Sequence, residues 1–170
     1  MLFILRNDWE KCDWEKMQIA DTSHIVSDKS VAQEAFIEFE KGYVFPDIGI
    51  VGRELIISQN TVPILEEFGC ELIFIPLLSN NDKKLFIVRT VESDEIDCID
   101  KEASDIEYTD DIPPRIETVD ELVIDESKSQ GNHFFCVKGL WGQIFLSVDA
   151  KAKLEKVDGF RCSGVDEFMV

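Results

Sequence analysis

The sequence predicts an α+β fold in which mixed or antiparallel sheets carry a few short helices. Three observations lead there. Short apolar runs rich in Ile, Phe and Val alternate with segments of helical character. A strand–helix–strand plan occurs twice, in "ELIISQNTVPILEEFGCELIFIPLL" and in "QIFLSVDAKAKLEKVDGFRCSGVDEFMV". Of the 170 residues 45% are apolar, which supports a packed core rather than disorder. The chain is expected to form one domain over 1–170, either undivided or as two lobes of about 1–90 and 91–170.

The elements follow in order. "MLFILR" reads as an opening strand. "SVAQEAFIEFEKG" reads as a helix, with Ser30 as cap, Gln33 at the capping-box position and Gly42 as terminator. Its part Phe36–Glu40 also alternates, so a strand there stays open. "GYVFPDIGIVG" is expected to be a loop because of Pro46 and its glycines. In the first repeat, the strand Leu55–Ile57 leads through Ser58 to a helix around Pro63–Phe68, then Gly69, then the strand Glu71–Leu77. In the second, Ile144–Leu146 leads through Ser147 to a helix over Ala150–Val157, then Gly159, and "VDEFMV" closes as a strand. Ser58 precedes Leu65-Glu66 by the same spacing that separates Ser147 from Leu154-Glu155. Both serines are placed at strand-to-helix corners, where a hydroxyl satisfies free backbone N–H groups. Between the repeats, "KLFIVRTV" and Asn132–Lys138 read as strands.

The formal net charge is −18. Such a chain is repelled by nucleic acid and by anionic membranes, so neither is an expected partner. Most of the imbalance sits in one fifth of the sequence: Glu92–Glu126 holds 15 acidic and 2 basic residues, a net of −13. Within it Ile96, Ile99, Ala103 and Ile106 fall at helical intervals. They predict a folded, anchored segment with Asp94, Glu95, Asp97, Asp100, Glu102 and Asp105 on or beside its outward face. "YTDDIPP", with Asp110 and Asp111, reads as an exposed connector, since two prolines block regular structure. Trp141, between glycines at a turn, either packs on the core or serves as a contact anchor. At least one of Trp9 and Trp14 is expected in the core.

No catalytic residues, cofactor or metal are expected. "DEIDCIDKEASD" lacks the alternate oxygen ligands and the central glycine of a calcium loop. His133 and Cys136 form H-x-x-C, and Cys98 and Cys162 are the cysteines that would complete a zinc set, but there is no second close pair. A cysteine nucleophile would need one of the two histidines, His24 or His133, and no local pattern marks such a pair. G-x-S-x-G, the phosphate loop, the dinucleotide fingerprint and H-E-x-x-H are absent. Five widely spaced cysteines do not make a disulfide framework. The five-residue apolar start is too short for a signal segment, and no run approaches a membrane span. A cytoplasmic location follows as an expectation.

The blocks "ELIISQNTVPILEEFG", "LFIVRTVESDEIDCIDKEASDIEY" and "HFFCVKGLWGQIFLSVDAKAKLEKVDGFRCSGVDEF", preceded by Pro46-Asp47, resemble the bacterial immunity-protein family numbered eleven in the polymorphic-toxin classification. The resemblance covers the C-terminal two thirds. It implies an antidote to a secreted or contact-delivered toxin, acting by tight non-covalent binding to the cognate toxin's C-terminal domain. A cationic toxin domain would suit the acidic bias, with Asp94, Glu95, Asp97, Asp100, Glu102, Asp105, Asp110, Asp111 and Trp141 as candidate partner-binding residues. The alternative is a non-enzymatic acidic interaction or scaffold protein with no toxin partner.

Overall fold

A computed structural model describes residues 1–20, 35–51, 54–69, 72–80, 82–90, 95–110, 112, 116–129, 131–140 and 143–168. In chain order its elements are β1 (Leu2–Arg6), β2 (Met17–Ala20), β3 (Ala35–Phe39), β4 (Ile48–Val51), β5 (Glu54–Ser58), α1 (Val62–Glu66), β6 (Leu72–Ser79), β7 (Leu85–Thr90), β8 (Asp105–Tyr108), β9 (Ile116–Glu121), β10 (Phe134–Cys136), β11 (Ile144–Ser147), α2 (Val148–Leu154) and β12 (Arg161–Gly164). A six-stranded sheet has the order β2-β3-β6-β7-β5-β4, and a four-stranded sheet the order β10-β11-β1-β12. Among the described residues, the paired strands run antiparallel except β3 with β6. β8 and β9 form a separate antiparallel pair. The α+β class with mixed sheets and short helices is therefore what the chain adopts.

The two strand–helix–strand units share a topology. β5 and β6 both run antiparallel to β7, which lies between them. β11 and β12 both run antiparallel to β1, which lies between them. Each unit is thus a pair of parallel strands joined by a helix and split by one antiparallel strand. Ser58 and Ser147 each end the first strand, and Leu65 and Leu154 are both fully buried in one shared core. The corners differ in detail. Ser147 caps α2 directly, its Oγ accepting the Ala150 N–H at 3.2 Å. After Ser58 the chain first makes a turn, Thr61 N–H donating to the Ser58 carbonyl at 3.0 Å, and α1 then begins at Val62.

Strand alternation sorts the core into layers. On β1, Phe3 and Leu5 face the central core, which holds Leu65 of α1 and Ala150 and Leu154 of α2. Leu2 and Ile4 face the opposite way, into a second core with Phe135, Phe145, Ile99 and Val119. The four-stranded sheet is therefore covered on both sides, by the helices on one and by the acidic segment on the other. The six-stranded sheet likewise separates the central core, through Leu55, Ile57 and Val88, from a third core built of Ile37, Phe39, Ile56, Ile87, Phe45 and Cys12.

Three expectations are corrected. The helix proposed over 30–42 begins outside the described residues, and Ala35–Phe39 is a strand: Ile37 and Phe39 are buried while Phe36 and Glu38 are exposed, a period of two. The loop proposed through Gly42–Gly52 contains the edge strand β4. Its Ile48 and Ile50 N–H groups donate to the Asp158 carbonyl and to Asn7 Oδ1, both at 3.1 Å, which covers the sheet edge. Gly49 serves close packing there, because a Cβ would run into Cys12 Sγ. Finally, of "VDEFMV" the residues Val165–Phe168 do not form a strand, and 169–170 lie outside the described residues. The strand is Arg161–Gly164, and Val165–Glu167 makes a 3-10 turn that swings Phe168 into the second core.

Candidate partner-binding surface

The acidic segment is held at both ends of its first stretch. Ile96 continues the edge of the four-stranded sheet by a parallel bridge to Val137, its N–H donating to the Cys136 carbonyl at 2.9 Å and its carbonyl accepting from Lys138 N–H at 3.0 Å. Ile99 bridges Ile124, with Asp100 N–H to the Val123 carbonyl and Asp125 N–H to the Cys98 carbonyl. One turn follows, and then β8. The helical spacing of this stretch, 96–106, therefore does not form a helix. Its apolar residues are nevertheless anchors, because Ile96, Ile99 and Ile106 all join the second core; Ala103 is exposed. The physical reason lies in the acids. Asp100 Oδ1 accepts the N–H groups of Glu102 (3.1 Å) and Ala103 (3.2 Å), a local bond that competes with a helix ladder. Carboxylates three and four apart would also repel one another on a helix. Ser104 completes the turn, its Oγ accepting Val123 N–H at 2.9 Å.

The hairpin β8–β9 carries two bulges. Asp105 faces Glu121 while Ile106 faces Val119, so Asp120 is left over. Glu107 faces Thr118 while Tyr108 faces Ile116, so Glu117 is left over. Both extra residues are exposed acids. The bulges let Ile116, Val119 and Leu122, spaced by three, all point into the second core. The turn at Gly139 (φ 90°) lies against Ile116, so it meets this hairpin at the paired position next to its connection.

The candidate residues now divide. Asp97, Glu102, Asp105 and Asp110 are exposed and form no ion pair among the described residues. Asp100 is half-buried and holds the turn described above. Glu95 is half-buried; its charge adds to burial in pushing up the Cys136 thiol. Asp94, Asp111 and Trp141 lie outside the described residues. Missed from the sequence were Glu107, Glu117, Asp120 and Glu121, and the exposed Tyr108 and Ile112 beside them. The signal was present as two short runs, "DIEY" and "IETVDE", flanking a proline-rich turn. Other acids serve the fold. Asp125 accepts from the Ser127 hydroxyl and N–H and pairs with Lys128, which together hold its carboxyl below the usual range, and Glu126 pairs with the N-terminal amine.

The other candidate chemistry is dispersed. His133 Nδ1 lies 2.8 Å from Ser147 Oγ, closing the start of α2. Thr90 Oγ1 donates to Cys136 Sγ at 3.3 Å. Cys98 is buried in the second core and Cys162 packs against the central one. Burial pushes the Cys12 thiol up to about 12 and Cys98 to about 11. Among the described residues no group of three or more His, Cys, Asp or Glu is arranged to hold a metal ion. Trp9 is 71% exposed, and the Trp14 side chain lies outside what is described.

The fold and this face together describe an α+β protein whose most heavily charged segment is anchored in the fold, with Asp97, Glu102, Asp105 and Asp110 turned to solvent. Residues 79–167, just over half of the chain, match the profile of the Immunity protein family (Imm11), and the chain belongs to that family. The matched span holds the whole acidic segment and every strand of the four-stranded sheet except β1. No curated protein matches the chain. Among the described residues no helix is long and apolar enough to cross a membrane.

Proposed function

We propose that this chain is a non-enzymatic cytoplasmic antidote that neutralises a cognate secreted or contact-delivered toxin by binding its C-terminal domain and covering it. The partner face is the acidic surface running from Glu95 through Asp97, Glu102 and Asp105 to Asp110. Family membership supplies the general role. The observation that carries the assignment to this face is that Asp97, Glu102, Asp105 and Asp110 are exposed with no ion-pair partner among the described residues, while Ile96, Ile99 and Ile106 beneath them are fixed in the core. A rigid field of unneutralised charge steers a cationic partner to it and rejects anionic ones.

The test is protection in cells. The C-terminal domain of a toxin encoded beside this chain is expressed alone and then together with the chain. Growth arrest by the first and its relief by the second supports the reading, provided the two proteins co-purify without a covalent link. A chain that neither relieves arrest nor binds the domain would be a scaffold with some other partner.

A further inference from the structure

The β8–β9 hairpin carries an apolar face that does not stop where the core stops. Directly paired residues share a face of an antiparallel ladder, so Ile106 with Val119 and Tyr108 with Ile116 line one side. Val119 is buried, Ile106 and Ile116 are half-buried, Tyr108 is 42% exposed, and Ile112 in the connecting turn is 99% exposed. The same apolar surface thus runs from the second core out to solvent. Around its open end stand Glu107, Asp110 and Glu117, all exposed. From Asp105 to Glu121 the sequence holds seven acidic residues and one basic, a net of −6.

We propose that this hairpin is the anchor of the complex. Tyr108 and Ile112 enter an apolar pocket of the partner, and the surrounding carboxylates meet cations on that pocket's rim. The inference rests on the toxin-binding reading above and adds to it the element that holds the complex after encounter. Exposed charges act mainly on the association rate, whereas desolvated aromatic and aliphatic anchors set how slowly partners separate. The charge identifies the occupant as a basic protein domain. A second copy of this chain would bring a net −18 against the hairpin's −6, and nucleic acid or an anionic lipid surface would be repelled in the same way.

The experiment uses the full chain and the purified, catalytically inactive C-terminal domain of the toxin encoded beside it, with association and dissociation rates measured by biolayer interferometry. Tyr108→Ala with Ile112→Ala should raise the dissociation rate by about 30-fold while leaving the association rate within about twofold. Thermal melting checks folding. If the double variant is destabilised, Ile112→Asp alone carries the test, at a position with no native contact to lose. Parent-like dissociation of these variants, with the parent itself binding, overturns the anchor and leaves the neutralising role standing. No binding by the parent at any ionic strength overturns both. A parent dimer in sedimentation that the double variant abolishes shows the hairpin to be a self-association surface and overturns the anchor.

Discussion

Ser147→Ala tests the corner that joins β11 to α2. The Ser147 hydroxyl accepts the Ala150 N–H and lies 2.8 Å from His133 Nδ1. Losing an N-cap oxygen costs about 1 kcal/mol. Leaving the half-buried His133 nitrogen without its partner adds roughly 0.5–1.5 kcal/mol. The sum is about 1.5–2.5 kcal/mol, large for a seven-residue helix that brings Ala150 and Leu154 into the central core. For a chain of this length it corresponds to a fall in Tm of roughly 3–10 °C. Urea melts with a common m-value would measure it, and Ser147→Thr, which keeps a hydroxyl, should lose under about 0.5 kcal/mol. A double-mutant cycle with His133→Ala separates the two terms. A cost of Ser147→Ala below about 0.5 kcal/mol, or a threonine variant as unstable as the alanine one, would refute the capping argument.

Further outcomes are expected elsewhere. Reversing Asp97, Glu102 and Asp105 to lysine shifts the surface by six charge units, each worth about 0.4 kcal/mol at roughly 10 Å in water. Association with a cationic toxin domain should then slow by about 50-fold at low salt and only a few-fold at physiological ionic strength, where the Debye length is about 8 Å. The same six-unit reversal at Glu10, Glu40 and Glu66, exposed away from this face, should do less, and equal effects would reduce the acidic face to net charge alone. At Asp47, burial would raise the pKa, but the Ser58 hydroxyl and Lys83 (3.0 Å) outweigh it and hold the carboxyl below its usual range. Its contribution to stability is present above the unfolded aspartate pKa and is lost as pH falls through the lower folded value. Asp47→Asn should therefore flatten the acid side of the stability profile below about pH 4; an unchanged acid limb would contradict this. Burial raises the thiols of Cys12 and Cys98, so their contribution is full below the unfolded thiol pKa of about 8.5 and fades as pH rises beyond it. Both should resist Ellman's reagent in the native protein at about pH 8 and react after denaturation; fast native modification of either would argue against its buried placement.

What the sequence made legible was local. Ser58 with Leu65 and Ser147 with Leu154 mark two units because strand ending, helix start and buried leucine all fall within one short window. What it hid depends on partners far along the chain. Nothing near "LFILR" says that it separates β11 from β12. In the acidic segment, apolar residues three apart suggested a helix, but bridges and bulges satisfy the same spacing, as Ile116, Val119 and Leu122 show. The surface was legible as charge and not as shape. Its acids were visible in the composition, whereas the exposure of Tyr108 and Ile112 depends on where the second core ends.

The central place of β1 sets a schedule for synthesis. Its partners Phe145–Ser147 and Arg161–Gly164 are made long after it. At roughly 5–20 residues per second, the first strand waits on the order of ten to thirty seconds for them. Because Leu2 and Ile4 help floor the core beneath Ile99 and Val119, the acidic face lacks its full support until β11 and β12 have been made. A chain that has not yet reached these strands therefore displays its acidic segment without the floor that holds it in the finished fold.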